Sequence, residues 1–244
     1  MIVQRNGRTA TADDLAPLAF AGYAHFTAAQ VRDGRIRGLD LHLERLRAAS
    51  AELFGDALPD DVVRGFVRTA LAAGPADVSL TATVHSSAGG HLDLLVRTGP
   101  PSTGPDGPLA LAVVPHERYL PDVKHVGEVA KTHLLRVAAR DGFDDAAFVD
   151  RAGRLSEASI WNLAFWDGSA VVWPVADVLG GSTMGILRRR RRGVPPRRGV
   201  PARRTRLRRP PARRLRRRAA HRTLTGRPAG RARAAPGRDR RCPY

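Results

Sequence analysis

Lys124 and Lys131 lie seven residues apart in "DVKHVGEVAKTH" (122–133), and they are the only lysines in a 244-residue chain whose other 39 Lys/Arg positions are arginine. A lysine amine can shed its proton and attack a carbonyl carbon, which a guanidinium cannot do. Lys124 falls between a predicted strand and a predicted helix. A side chain there either faces a cleft, where desolvation lowers its pKa and frees the amine for a Schiff base, or remains a surface ammonium. Lys131 falls in mid-helix, where a surface ammonium is the expectation.

Three further features bear on the same chemistry. Arg45 in "HLERL" sits beside the apolar face formed by Leu43 and Leu46, and it either reaches inward to an anion or stays solvated. "GGSTMGIL" places Ser182 and Thr183 at a predicted helix start, which is an anion seat or a simple capped terminus. Glu157 in "RLSEASIWN" is a buried carboxylate facing a cationic ring nitrogen, or a strand-edge glutamate. A lysine, an anion seat and a carboxylate together are what a cofactor with an aldehyde carbon, a phosphate and a basic ring nitrogen requires. Pyridoxal 5'-phosphate is that cofactor. His25, His42, His125 and His133 show no metal-ligand spacing and are read as structural or solvated.

Several elements must hold these groups. "AHFTAAQVRDGRIRGL" predicts two strands turning at Asp33-Gly34. A helix follows over 40–55, capped by Asp40 and stopped by Gly55, with Leu43, Leu46 and Leu53 on one face. A second helix spans about 59–73, and "DVSLTATVHS" and "HLDLLVRTG" alternate like paired strands. Residues 1–98 then make a small α+β domain, and the Pro/Gly-rich stretch 99–108 a linker. Residues 109–187 make a second domain: a strand over 109–120 with Lys124 just beyond it, a helix ended by Gly142, strands turning at Ala152-Gly153 and Asp167-Gly168, and a helix start ending at Leu187.

The net charge of +18 is misleading as an average. Residues 188–244 hold 24 Arg and one acid, Asp239, whereas the first 187 residues carry 17 basic against 22 acidic side chains, a net of −5. The one cysteine, Cys242, allows no disulfide within the chain. Neither a secretion signal nor an apolar run of membrane-spanning length is evident, so a cytoplasmic, non-membrane protein is expected.

Four segments in order resemble the class IV aminotransferases, the fold type IV pyridoxal-phosphate enzymes: "HFTAAQVRDGRIRGLDLHLERL", "VKHVG", "GFDDAAFVDRAGRLSEASIWNLAFWDG" with "VVWP", and "VLGGSTMGIL". The resemblance covers about residues 18–187 and implies a two-domain α/β (α+β) fold. It also implies a homodimer and transfer of an amino group from an amino acid to a keto acid. It matches Lys124 to the Schiff-base lysine, Glu157 to the acid beside the ring nitrogen, and Arg45, Ser182 and Thr183 to the phosphate site. Asn162 falls on an asparagine that braces the site, Phe26 on the aromatic lining the substrate pocket, and Lys131 on a position with no role. Thr27 stands where many transaminases have Glu. With "VKHVG", it looks closer to aminodeoxychorismate lyases and implies an elimination on the same site as the alternative.

The tail departs from the family, which continues for about 60 to 80 residues of α/β structure, roughly half a domain. Residues 188–244 hold 24 Arg, 8 Pro, 8 Ala and 5 Gly, residues whose codons begin with two G or C bases. Disorder is expected there, and the segment is read as out of frame after about Leu187, with a genuine basic extension as the alternative. Two rival readings follow: an inactive truncated enzyme, and a chain that binds nucleic acid non-specifically through the tail.

Overall fold

In the computed structural model, which describes residues 1–20, 22–87 and 89–190, the chain opens with elements that periodicity does not mark. These are β1 (Ile2–Arg5), β2 (Arg8–Thr9) and α1 (Ala12–Phe20). Asp14 ties them together. Its carboxylate accepts from Arg5 and Arg8 at 2.6 Å and from the Thr11 amide at 2.8 Å, and these donors hold its pKa well below the usual carboxylate range.

The Asp33-Gly34 turn, with φ of 50° and 68°, joins β3 (Ala24–Arg32) to β4 (Arg35–Ile36) as expected. The predicted helices follow as α2 (Leu39–Phe54) and α3 (Asp60–Ala72), and the paired strands as β5 (Val78–Ser86) and β6 (Leu92–Gly99). One correction concerns the start of α2. The N-cap is Gly38, with φ 67°, and Asp40 lies inside the first turn. The chain needs a left-handed residue there to swing from the hairpin into the helix, and Asp40 favours the positive helix end without capping it.

All six strands form one antiparallel sheet in the order β2-β1-β6-β5-β3-β4. Leu43 and Leu46 of α2 and Val63 and Val67 of α3 pack on one face against Leu80, Val84, Leu94 and Val96.

Beyond residues 100–110, β7 (Leu111–Pro115) and β8 (Asp145–Val149) pair in parallel, joined through α4 (Val129–Arg140). A parallel pair requires such a crossover. β9 (Leu155–Ala158) adds antiparallel to β8, with a register shift near Ala147. Ala112, Ala138, Ala146 and Phe148 form this sheet's core. Strand β7 is shorter than predicted, so Lys124 belongs to the loop between β7 and α4.

β10 (Phe165–Trp166) and β11 (Val171–Val172) make a small hairpin, and α5 (Ser182–Arg190) follows. Helix α5 runs past the expected stop at Leu187. Arginine is a good helix former and suits a helix C-terminus. Here Arg189 pairs with Asp40, and Arg188 lies 5.2 Å from the Trp173 ring centroid. The expectations of disorder, frame loss and nucleic-acid binding otherwise concern residues 191–244, outside the described residues. Among the described residues no helix is long and apolar enough to cross a membrane.

Helices α2 and α5 meet through two glycines. A Cβ at Gly38 would stand 2.8 Å from Ile186 Cδ1, and one at Gly185 would stand 3.0 Å from Leu41 Cδ1.

Two histidines of this region are buried. His25 bonds Ser50 Oγ at 2.8 Å, His42 bonds Thr27 Oγ1 at 2.7 Å, and burial pushes both rings down to about 4 from 6.5. The unfolded chain takes up these protons near pH 6.5, and the folded chain resists until about pH 4. Stability should therefore be full above pH 6.5 and fall as the pH drops toward 4. Each ring contributes on the order of 3 kcal/mol to that loss. Thermal melts across this range should show the decline, with a shallower slope in His25→Asn.

Candidate functional site

Lys124 is placed by backbone pairing. The Phe26 amide donates to the Lys124 carbonyl at 2.8 Å, the Val126 amide donates to the Ala24 carbonyl at 3.0 Å, and His25 and His125 form a β-bridge. The loop thus anneals to the start of β3. The Lys124 ammonium lies 4.8 Å from the Phe26 ring centroid. Among the described residues no carboxylate pairs with it. Burial, then the charges of Lys131, Arg45 and Arg118, push its amine down to about 8.

Glu157 projects from β9, the edge strand of its sheet, and is 5% exposed, so it is buried although it stands on an edge. Its Oε1 accepts from Lys131 Nζ at 3.2 Å and from Arg118 Nη1 at 3.4 Å, and its Oε2 makes no hydrogen bond among the described residues. Arg118 also donates to the Val123 carbonyl at 2.6 Å and pairs with Glu128 at 2.5 Å. It therefore bolts the loop ahead of Lys124 to the network around Glu157. Arg118 went unnoticed in the sequence because one arginine among 39 carries no signal. Lys131, expected at the surface, is 6% exposed. The reason is that α4 packs on β7 and β8, and from its first turn Lys131 reaches Glu157 at β9, a buried carboxylate that needs a cation.

Arg45 reaches across from α2. Its Nη2 donates to the Gly180 carbonyl at 2.8 Å and its Nη1 to Thr27 Oγ1 at 3.4 Å. Burial and the charge of Arg118 lower its pKa. His42 joins the same group, with its Nδ1 2.7 Å from Thr27 Oγ1 and 3.5 Å from Ser182 Oγ. Its part was missed because a histidine one turn ahead of an arginine is indistinguishable from any half-buried helix residue.

Ser182 and exposed Thr183 occupy the first turn of α5, ahead of the first intrahelical bond from the Gly185 amide to the Gly181 carbonyl. Their own amides are left pointing out of the helix end. Asn162 donates to the Leu179 carbonyl at 2.8 Å and bridges to Glu157 through the backbone. It lies so close to Gly181 that a Cβ there would collide with its Oδ1. The fold thus gathers Arg45, Thr27, Ser182 and Asn162 around the 179–182 turn, and Lys124 above Phe26. Apart from the histidines, the charged groups of this region are Lys124, Lys131, Arg45, Arg118, Glu128 and Glu157, four cations against two carboxylates. A partly buried site with that surplus suits a dianion.

The family described as "Amino-transferase class IV" matches residues 24–212. The chain belongs to the class IV aminotransferase family. Solved structures that share the fold include two aminotransferases and a lyase. An aminotransferase from Mycobacterium tuberculosis, described as hypothetical and bound to alpha-ketoglutarate and PMP, matches with a TM-score of 0.70 at 20% identity, over 83% of this chain and 82% of that one. The 4-amino-4-deoxychorismate lyase of Pseudomonas aeruginosa matches with a TM-score of 0.67 at 22% identity, over 82% of each. The branched-chain aminotransferase of Thermoproteus uzoniensis matches with a TM-score of 0.68 at 18% identity, over 83% and 79%. A sequence search of curated proteins finds no match.

Class IV aminotransferases depend on pyridoxal phosphate. The residues present here fit that group. The cation surplus and the free amides of α5 suit its phosphate, Lys124 offers an amine of lowered basicity, and Glu157 Oε2 is left for the ring nitrogen.

The lowered basicity of Lys124 has a measurable consequence. The neutral amine is the nucleophile, and its population should saturate once the pH passes about 8. The rate at which an acylating reagent labels Lys124, followed by peptide mass analysis, should rise about tenfold per pH unit below that point and level off above it. A rate still climbing through pH 10 would contradict the desolvated placement.

Proposed function

We propose that this class IV aminotransferase moves an amino group from an amino acid to a keto acid, with Lys124 as the Schiff-base lysine. The observation carrying this reading is the Lys124 amine. It is partly buried, without a carboxylate partner among the described residues, and pushed down to about 8. Bound pyridoxal phosphate supplies an electron-withdrawing ring that acidifies the α-proton of an amino acid.

The chain's own residues do the rest. Lys124 Nζ takes the α-proton and returns it, which an amine of lowered basicity does well near neutral pH. Glu157 Oε2 holds the proton on the ring nitrogen. Arg45, with Ser182 and Thr183 at the start of α5, binds the phosphate, and so keeps the ring from turning away from Lys124. Phe26 beneath the Lys124 ammonium and Thr27 beside Arg45 line the place for the amino acid. Asn162 braces the 179–182 turn. We infer a homodimer, the usual assembly of the family.

A second reading uses the same proton transfer to eliminate a group. Thr27 and the Lys124-His125 pair favour it, and the lyase fold matches about as well as the aminotransferase folds. Transfer consumes a keto acid, whereas elimination needs none. Turnover of an amino donor only when a keto acid is added supports the first reading; turnover without it replaces that reading with the second.

Borohydride reduction of the cofactor-loaded protein should fix the label on Lys124 Nζ, and Lys124→Ala should abolish both the label and the visible absorbance. Arg45→Ala should keep the attachment site but weaken cofactor retention by about 1–3 kcal/mol, the worth of charged hydrogen bonds. Cofactor binding unchanged in Arg45→Ala would remove Arg45 from the phosphate site.

A further inference from the structure

The buried lysine of α4 is the feature that the proposed chemistry leaves unused. Lys131 Nζ stands 3.2 Å from Glu157 Oε1 and 3.8 Å from Glu128 Oε2, and its side chain is 8% exposed. Arg118 completes a quartet by contacting both carboxylates. Two cations and two carboxylates make the quartet neutral before any ligand arrives. Lys124, Arg45 and His116 also face it, two of them cations, and the Lys131 charge acts on both Lys124 and His116. No further carboxylate pairs with Lys131 among the described residues.

Resting on the pyridoxal-phosphate reading, we propose that Lys131 tunes the proton on the ring nitrogen. Its fixed charge offsets Glu157, so the ring meets a neutral partner network instead of an anionic one. The argument is electrostatic. A protonated pyridine ring brings one positive charge to Glu157 Oε2. With Lys131 in place the local sum becomes positive, in a setting where water screens poorly. Without the Lys131 charge the quartet carries one net negative charge, which the ring proton cancels. Lys131 therefore disfavours the protonated ring and weakens its pull on electrons. Lys131 need not touch the cofactor; it acts as a positioning and charge-setting residue through Glu157.

The test reads the ring directly. Apo-protein is loaded with pyridoxal phosphate carrying ¹⁵N in the ring, and the nitrogen resonance is followed against pH. Lys131→Gln keeps a donor toward Glu157 Oε1 but drops the charge, and Lys131→Arg keeps the charge. The apparent ring protonation constant should rise by about tenfold or more in Lys131→Gln, the effect of one charge at close range. It should stay at the wild-type value in Lys131→Arg. Lys131→Met serves if the glutamine variant does not fold, with the same expected shift. An unchanged resonance in the charge-free variants, or equal shifts in the charge-free and arginine variants, overturns the proposal. A wild-type protein that binds no cofactor, seen as no visible absorbance, overturns the reading beneath it as well. That outcome is told apart because the resonance experiment then has no bound ring to observe.

Discussion

Two backbone hydrogen bonds govern the arrangement. Residues 124–126 lie along the start of β3, with Phe26 donating to Lys124 and Val126 donating to Ala24. That pairing brings the loop after β7 onto the edge of the six-stranded sheet, whose core is built from α2, α3, β5 and β6. Remove it, and the amine has no defined place relative to Arg45 on α2 or to Glu157 on β9. Backbone bonds suit this task because they do not depend on which side chains flank Lys124. Arg118 adds a second fastening through the Val123 carbonyl, so the residue before the lysine is held from the other side.

The electrostatics follow from that placement. Burial alone raises the cost of an ammonium at Lys124, and three neighbouring cations add to it. Around Glu157 the balance is reversed, since a 5% exposed carboxylate is tolerated because two cations share one of its oxygens. The site thus divides its charge. Its cations outnumber the carboxylates already present, and the surplus is what the proposed phosphate site would use.

Much of this was legible in the residues. The Asp33-Gly34 turn, the apolar faces of α2 and α3 and the alternation of β5 and β6 are local patterns, and local patterns survive folding. The types of the candidate site residues were legible too, because few side chains offer a nucleophilic amine. What escaped depends on contacts distant in the chain. α1 and the strands before it are held by Asp14 and by Arg5 reaching Asp93, a pairing across 88 residues. Lys131 looked like a surface residue because the helix pattern shows which face is polar but not that a carboxylate waits opposite. His42 and Arg118 were invisible because partners such as Ser182 and Glu157 lie far off in the chain. Asp40 has the residue type of a cap but does not serve as one, because a left-handed glycine two residues earlier has already turned the chain.

The contact between α2 and α5 has a mechanical meaning. Gly38 and Gly185 leave room for Ile186 and Leu41, so the two helix starts interlock at a spacing set by absent side chains. One helix carries His42 and Arg45, and the other carries Ser182 and Thr183. The distance between these residues is thus gauged by two hydrogen atoms where methyl groups would otherwise stand, and the polar side chains inherit a gap that they do not themselves set.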